Sequence, residues 1–464
     1  MTQRAGDSRE RDALLGEAWM AGLADAGLGL ADVESDVAGI EVVIERSAQG
    51  LTRFANSQIH QNVWWEDIQA GVRVVTRDGS IGVAGAHTDD PALVRQAARD
   101  ALEIARLTPP DPEFPGLAPS AGVPESIVDM ATAAASPEAR AAAVRMALAE
   151  IPDEFEGAGA YQTVGAELGV FTTEGQAAYA PTSAAQLTLV VMGDSSSGYA
   201  EDGGRSTGAI DPAAAARTAV AKARAGADPV DAPAGDWHVV LEPAATGALV
   251  QFLAYLGLGG REYLEGRSFA SGRLGHQVVD DKVTIVDDAT SADTVGFAVD
   301  WEGTPKRRVE LIRDGVLSAV VHDRFTGRKA GAESTGHGLP APNAHGPVAI
   351  NPLMLPGEDG TIDDLIEGVE RGLLVTRFHY TNVVHPVETK ITGMTRDGTF
   401  LISEGKITHG VRNLRFTESI LRALASVERI SSETSYASEL FFGGSRCPAV
   451  RLPSFHFTGT TSFG

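Results

Sequence analysis

Cysteine is nearly absent from this chain of 464 residues, because Cys447 is the only one. No internal disulfide can form, which fits a reducing compartment better than an oxidising one. Basic residues are also scarce: 38 Lys and Arg stand against 62 Asp and Glu, so the formal net charge is 38 − 62 = −24. Proteins that bind nucleic acid need clustered Lys and Arg against the phosphates. We therefore predict that the chain binds no nucleic acid.

Long apolar runs are missing as well. No run reaches the roughly 18 residues that a membrane-spanning helix requires. The longest candidate, residues 244–260, is interrupted by Gln251 and by several glycines. The N-terminal residues MTQRAGDSRERD are polar and lack the apolar core of a signal peptide. We therefore expect no membrane association and a cytoplasmic location.

The apolar residues that are present, 43% of the chain, suffice for buried cores in two or three domains. Three helix starts are predicted where a capping side chain precedes proline, at Asp90-Pro91, Ser136-Pro137 and Asp211-Pro212. Residues 157–201 alternate and predict antiparallel strands. The pairs Asp314-Gly315 and Asp397-Gly398 are typical of hairpin turns.

Strands and helices follow one another without regular alternation, which favours an α+β fold over a doubly wound sheet. Residues 223–236, ARAGADPVDAPAGD, have the composition of a linker. We therefore predict a helix-and-sheet domain at residues 1–228 and a strand-rich domain at residues 236–464.

The second half begins with a strand, Trp237 to Leu241, and then an apolar helix pattern at residues 249–257 that contains QFLAYL. The sequence LEGRSFASGRLGHQVVDDKVTIVDD follows at residues 264–288. Further on come TGMTRDGTFLISEGKITHGVRNLRFTESI and FFGGSRCPAVRLPSFHFTG. With these motifs in this order, the chain resembles the TldD/PmbA (TldD/TldE) metallopeptidase family.

The active subunit of that family carries His-Glu-x-x-x-His on the corresponding helix. In this chain those positions hold Gln251, Phe252 and Leu256. A peptidase zinc needs strong protein ligands and a base that takes a proton from the bound water. An amide is a poor zinc ligand, and neither a phenyl ring nor an isobutyl group can replace the glutamate or the second imidazole. The simplest interpretation of these residues is a buried core helix.

Cys447 is the remaining candidate ligand, because a cysteine in the C-terminal segment of active members supplies the third bond to zinc. A lone thiolate without partner ligands holds zinc poorly, so a buried free cysteine is favoured. We predict no catalytic and no metal-binding residues in this chain. Cys447 and Tyr255 are candidates for facing the cavity that the family resemblance implies.

The resemblance implies the TldE/PmbA-like, non-catalytic subunit of a cytoplasmic peptidase. Its partner would be a TldD-like chain that bears the His-Glu-x-x-x-His motif and the zinc. The substrate would be a short or unfolded peptide that enters a chamber between the subunits. Two alternatives stay open from the residues: a homodimeric binding or scaffold protein of the same fold, and an independent hydrolase assembled from distant segments.

Overall fold

The computed structural model describes residues 13–439 and 444–460. In these residues the α-helices are α1 (Glu17–Leu28), α2 (Pro91–Leu107), α3 (Met130–Ala133), α4 (Pro137–Leu148), α5 (Pro212–Ala225), α6 (Pro243–Gly257), α7 (Gly260–Leu264), α8 (Arg324–Ala330), α9 (Ile362–Ile366) and α10 (Ile420–Leu424).

The strands of the first half are β1 (Val37–Ala55), β2 (Gln58–Thr76), β3 (Ile81–His87), β4 (Glu156–Thr172), β5 (Ala177–Met192) and β6 (Ser197–Gly204). Those of the second half are β7 (Gly235–Leu241), β8 (Ile285–Asp287), β9 (Val309–Arg313), β10 (Val316–Leu317), β11 (Pro352–Met354), β12 (Arg371–His385), β13 (Lys390–Ser403), β14 (Lys406–Gly410), β15 (Leu414–Ser419), β16 (Arg429–Ala437) and β17 (Ser445–Thr460). The mixture confirms the α+β prediction.

Helices α2, α4 and α5 begin at the three prolines where the capping motifs predict a helix start. The side chains of Asp90, Ser136 and Asp211 accept hydrogen bonds from backbone N–H groups in the first turns of α2, α4 and α5. Each cap satisfies a donor that has no partner inside the helix, which stabilises a helix by about 1 kcal/mol. Proline at the next position adds a φ angle already suited to a helix.

The first half is an antiparallel sheet in the order β3-β2-β1-β4-β5-β6. Val42, Ile44 and Phe54 alternate along β1 onto the face that α1, α2, α4 and α5 cover. On the opposite face, Leu168 and Val170 pack against Ala298 and Val299 of the second half. The sheet is therefore sandwiched between its own helices and a loop of the second half.

The second half contains a closed barrel. Strands β12-β7-β17-β15-β13 pair in that order, and β12 also pairs with β13, which completes the ring. Phe378, Phe416 and Phe455 fill the interior, with ring centroids 4.5 to 5.5 Å apart. Strands β14 and β16 extend the wall, and a separate sheet in the order β10-β9-β8-β11 lies beside it.

The hairpin predicted at Asp397-Gly398 is wrong. Both residues lie inside β13, with φ angles of 53° and 133°, where the pairing with β12 shifts register. The two residues therefore form a β-bulge, which uses the same left-handed backbone as a turn. The bulge aims the Asp397 carboxylate at Arg377 and at the Ser197 hydroxyl of the first half.

One buried arginine joins the two halves. The Arg205 guanidinium, at the end of β6, donates hydrogen bonds to the carbonyl oxygens of Ala289 (2.6 Å) and Gly296 (3.0 Å). It also donates to the Ile127 carbonyl and the Thr182 hydroxyl. Burial lowers the pKa of Arg205 to about 10. The position of β6 against residues 289–296 thus depends on one charged side chain.

No helix in the described part of the chain combines the length and the apolar character needed to cross a lipid bilayer.

Candidate functional site

Helix α6 follows β7 after a single connecting residue, Glu242, and begins six residues earlier than the apolar pattern at residues 249–257 predicts. The Glu242 side chain does not cap α6. Its carboxylate accepts hydrogen bonds from the Lys222 ammonium (2.5 Å) and from the Thr376 hydroxyl (3.1 Å). The first turn of α6 is thereby held against α5 of the first half and β12 of the barrel.

Gln251 is almost completely enclosed, with 1% of its surface exposed. Its amide nitrogen donates to the carbonyl oxygen of Ala437 (3.4 Å), and its amide oxygen accepts from the backbone N–H of Glu439 (3.2 Å). We call Ala437–Glu439, at the end of β16, the bridging segment. A carboxamide can do both jobs because it carries a donor and an acceptor, whereas a single neutral imidazole presents them at opposite ring positions.

Phe252 and Leu256, the other two positions of the family motif, are buried at 3% and 5% exposure. They belong to the same apolar cluster as Leu249 and Leu253 of α6 and the barrel phenylalanines. Tyr255 on the same helix is 51% exposed. The interpretation of Phe252 and Leu256 as residues of a core helix therefore agrees with their burial.

Cys447 lies on β17 with no exposed surface, beneath the first half of α6. A Cβ atom at Gly247 would lie 3.7 Å from its sulfur atom, an ordinary contact distance, but only 2.4 Å from the Cβ atom of Ala437, so glycine lets α6 approach β16 this closely. Burial raises the pKa of the Cys447 thiol to about 11. The thiol is neutral at physiological pH. Whether Cys447 or Tyr255 faces a chamber formed with a second chain stays a prediction.

We expect Cys447 to be unreactive in the folded chain. A thiolate is the reactive form, and both burial and the raised pKa suppress it. With a disulfide reagent at neutral pH, labelling should proceed at the rate of global unfolding and become fast in denaturant. Rapid stoichiometric labelling of the native chain would contradict the buried position.

A polar cluster from the first half meets α6 across the bridging segment. The Tyr199 hydroxyl and the Ser438 backbone N–H lie near the Glu201 carboxyl group and favour its charged form. Burial raises the pKa of Glu201 to about 8. The bridging segment therefore lies beside both Gln251 of α6 and Glu201 of β6.

Arg377 of β12 closes the cluster on the barrel side. Its guanidinium binds the Asp397 carboxylate and stacks over the Tyr199 ring, 4.1 Å from the ring centroid. Burial lowers the pKa of Arg377, but the Asp397 carboxylate, Tyr199 and Glu201 together outweigh burial and raise it. The arginine is thus a fixed cation that binds β6, β12 and the bulge of β13 together.

Glu201, Tyr199, Arg377 and the bridging segment were not predicted as parts of this site. They come from β6, β12 and β16, which lie far apart in the sequence and meet only through the topology. No local pattern marks them, since GYAEDGG reads as an ordinary strand. The hydrogen bonds at both ends of the Gln251 amide could have been predicted, because a lone amide in an otherwise apolar helix needs polar partners when it is buried.

Two sequence profiles of one family match this chain: the PmbA/TldA metallopeptidase C-terminal domain at residues 234–459, and PmbA/TldA metallopeptidase domain 1 at residues 40–105. Together they cover more than half of the sequence. The chain belongs to the PmbA/TldD metallopeptidase family, as the sequence motifs indicate.

Among its relatives, a protein named metalloprotease TldD homolog from Haemophilus influenzae is 32% identical over 235 residues, 50% of this chain and 47% of that protein. A metalloprotease from Methanothermobacter thermautotrophicus is 25% identical over 201 residues, 43% of this chain and 44% of that protein. The matches thus span about half the length of these curated relatives.

Solved structures match over nearly the whole chain. TldE from Thermococcus kodakarensis superposes with a TM-score of 0.83 at 19% identity, covering 95% of this chain and 100% of that one. A protein from Thermotoga maritima described as a modulator of a DNA gyrase has a TM-score of 0.83 at 17% identity, with coverage of 95% and 100%. These likenesses establish the fold.

A zinc ion, which the family implies, does not fit the side chains of α6. Gln251 already uses both ends of its amide on backbone groups, and Phe252 and Leu256 carry no donor atom. Cys447 is a neutral thiol. No group of three or more His, Cys, Asp and Glu within residues 13–439 and 444–460 is arranged to hold a metal ion.

Proposed function

We propose that this chain is the non-catalytic, TldE/PmbA-like subunit of a metallopeptidase complex. Its partner is a TldD-like chain that carries His-Glu-x-x-x-His and the zinc, and the complex acts on short or unfolded polypeptides in the cytoplasm. The chain alone is inactive. The family assignment supports the peptidase context, and the composition of α6 supports the subunit role.

The observation that carries the proposal is the use made of Gln251. In a working site this position binds metal and must face a space that water and substrate can enter. Here its amide bonds the bridging segment at both ends, and β16, which leads into that segment, packs against both α6 and β6. Gln251 acts as a structural support, and this supports the proposal that the catalytic metal is held by another chain.

In the complex, this chain contributes structure and surface. Contacts of Arg205 and Lys222 join the half that contains the sandwiched sheet to the half that contains the barrel. Tyr255 is the exposed aromatic side chain of α6 and is the residue that we assign to the chamber wall. An extended peptide would lie against it while the partner's zinc site performs hydrolysis.

Co-expression tests the proposal. The chain is produced alone and together with a homologous chain from the same genome that carries His-Glu-x-x-x-His, and each preparation is sized and assayed on an unfolded protein. We expect no cleavage by this chain alone, a stable mixed complex, and cleavage by that complex. The matched control changes the partner's motif glutamate to glutamine, which should abolish cleavage without dissociating the complex.

Three results would contradict the subunit role. Cleavage by this chain alone would point to an independent hydrolase. Cleavage by the complex that persists when the partner carries the glutamine variant would point to the same conclusion. A stable homodimer that ignores the co-expressed partner would favour a binding or scaffold protein of the same fold.

A further inference from the structure

A cavity of about 610 Å³ lies where the two halves of the chain face each other, at the first turn of α6. One wall is the outer side of α5 together with β6, and the other is formed by α9 and the β12–β14 side of the barrel. The volume is typical of small-molecule sites. The cavity meets α6 at Pro243 and Ala244, two turns before Gln251, so it is separate from the motif positions.

The lining has two chemically different parts. Part of it is apolar and includes Ile366, Leu374, Phe400 and the small residues of α5. The other part carries Glu201 and Asp202 of β6 with the aromatic rings of Tyr199 and Tyr436. Carboxyl groups beside tyrosine rings attract organic cations, through both charge and the negative faces of the rings.

Most of the lining carboxylates already have a partner. Glu242 binds Lys222, and Asp211 caps α5. Asp363 lies in the first turn of α9, where a carboxylate is favourable. Asp202 accepts a hydrogen bond from the Gly203 backbone N–H at 2.9 Å. Glu201 forms no ion pair with a described residue, because the nearby Arg377 is bonded to Asp397 instead.

The Glu201 carboxyl group is incompletely satisfied. Its Oε2 atom is enclosed and has no hydrogen-bond partner among the described residues. A carboxyl oxygen that is enclosed without a donor has lost its hydrogen bonds to water, so a ligand that supplies a donor restores one on binding. The donor has to be small enough to reach the end of the cavity at β6.

We propose that this cavity binds a small organic cation, a primary amine with an aliphatic or aromatic tail, whose ammonium group meets Glu201 beside Tyr199 and Tyr436. The tail lies on the apolar wall of Ile366, Leu374 and Phe400. The site uses none of the positions of the metal motif, and it does not depend on the proposed role as a peptidase subunit.

Binding of the cation is coupled to the release of a proton from the Glu201 carboxyl group. The pKa of Glu201 is raised to about 8 by burial, against the opposing effects of Tyr199, Arg377 and the Ser438 N–H. Glu439 adds to the rise, and Asp202, Tyr436 and Cys447 are the other titratable groups nearby. At neutral pH the carboxyl group is therefore mostly protonated, and an ammonium ligand has to displace its proton.

The experiment is calorimetry on the full chain with hexylammonium chloride and, as a neutral probe of the same shape, hexan-1-ol. We expect the amine to bind at least about tenfold more tightly than the alcohol, about 1.4 kcal/mol. Its affinity should fall by nearly tenfold for each pH unit below about 8, since the ammonium itself, with a pKa near 10.4, stays charged. Heats in two buffers should show proton release.

Variants identify the site. Glu201→Gln should remove the preference for the amine and the proton release, while Glu333→Gln, at a side chain 89% exposed and outside the lining, should change neither. Ala221→Trp, at an exposed position of α5 that lines the cavity, should block both probes. The proposal is overturned if the amine does not bind, binds no better than the alcohol, or binds unchanged to the Glu201→Gln chain.

Discussion

Phe252→Glu should lower the free energy of unfolding by at least about 4 kcal/mol. The substitution restores the glutamate of the active family motif, but in this chain the position is 3% exposed and belongs to the apolar core between α6 and the barrel. It removes a buried ring and places a carboxylate where no cation can meet it. Urea unfolding followed by circular dichroism measures the change.

Tyr255→Glu is the matched control, since it introduces the same charge on the same helix, three residues further on. Because Tyr255 is 51% exposed, we expect a change within about 0.5 kcal/mol of the wild-type value. If Phe252→Glu were as harmless as Tyr255→Glu, position 252 would face an accessible space. α6 would then retain the open geometry of a metal site, against our account.

Arg205→Met should destabilise the chain by about 3–5 kcal/mol. Methionine fills much of the same volume but leaves the buried carbonyl oxygens of Ala289, Gly296 and Ile127 without their donor. Because these bonds join β6 to the second half, the loss should also broaden the transition, or split it, as the halves unfold separately. Calorimetric unfolding provides the measurement.

Arg217→Met on α5 serves as the control for removing a guanidinium. Arg217 is 56% exposed, and its contact is an ion pair with Glu150 at 3.2 Å. Such surface pairs contribute about 0–1 kcal/mol, so the unfolding transition should hardly move. Equal effects of the two substitutions would show that Arg205 does not hold the halves together.

Local chemistry explains what the sequence could predict. The starts of α2, α4 and α5 follow from a capping side chain before proline, a rule that involves only neighbouring residues. The antiparallel strands in residues 157–201 follow from alternation. The core position of Phe252 and Leu256 follows from the apolar pattern of α6.

Features that depend on contacts between distant segments could not be predicted from neighbouring residues. Asp397-Gly398 has the composition of a hairpin turn, but β12 and β15 flank β13 on both sides and convert the same backbone conformation into a bulge. The closure of the barrel depends on the pairing of β12 with both β7 and β13, which no single segment encodes. Glu201 and Gln251 share the bridging segment only because β16 passes between β6 and α6.

The zinc content of the purified chain tests the central claim most directly, because that claim places the catalytic metal in another subunit. The chain is loaded with a small excess of zinc, freed of unbound metal by gel filtration and measured by elemental analysis, alone and in complex with its His-Glu-x-x-x-His partner. We predict negligible zinc in the chain alone and about one equivalent per complex, all of it lost when the partner's histidines are replaced. One tightly held equivalent in the chain alone, removed by Gln251→Ala, would contradict the account.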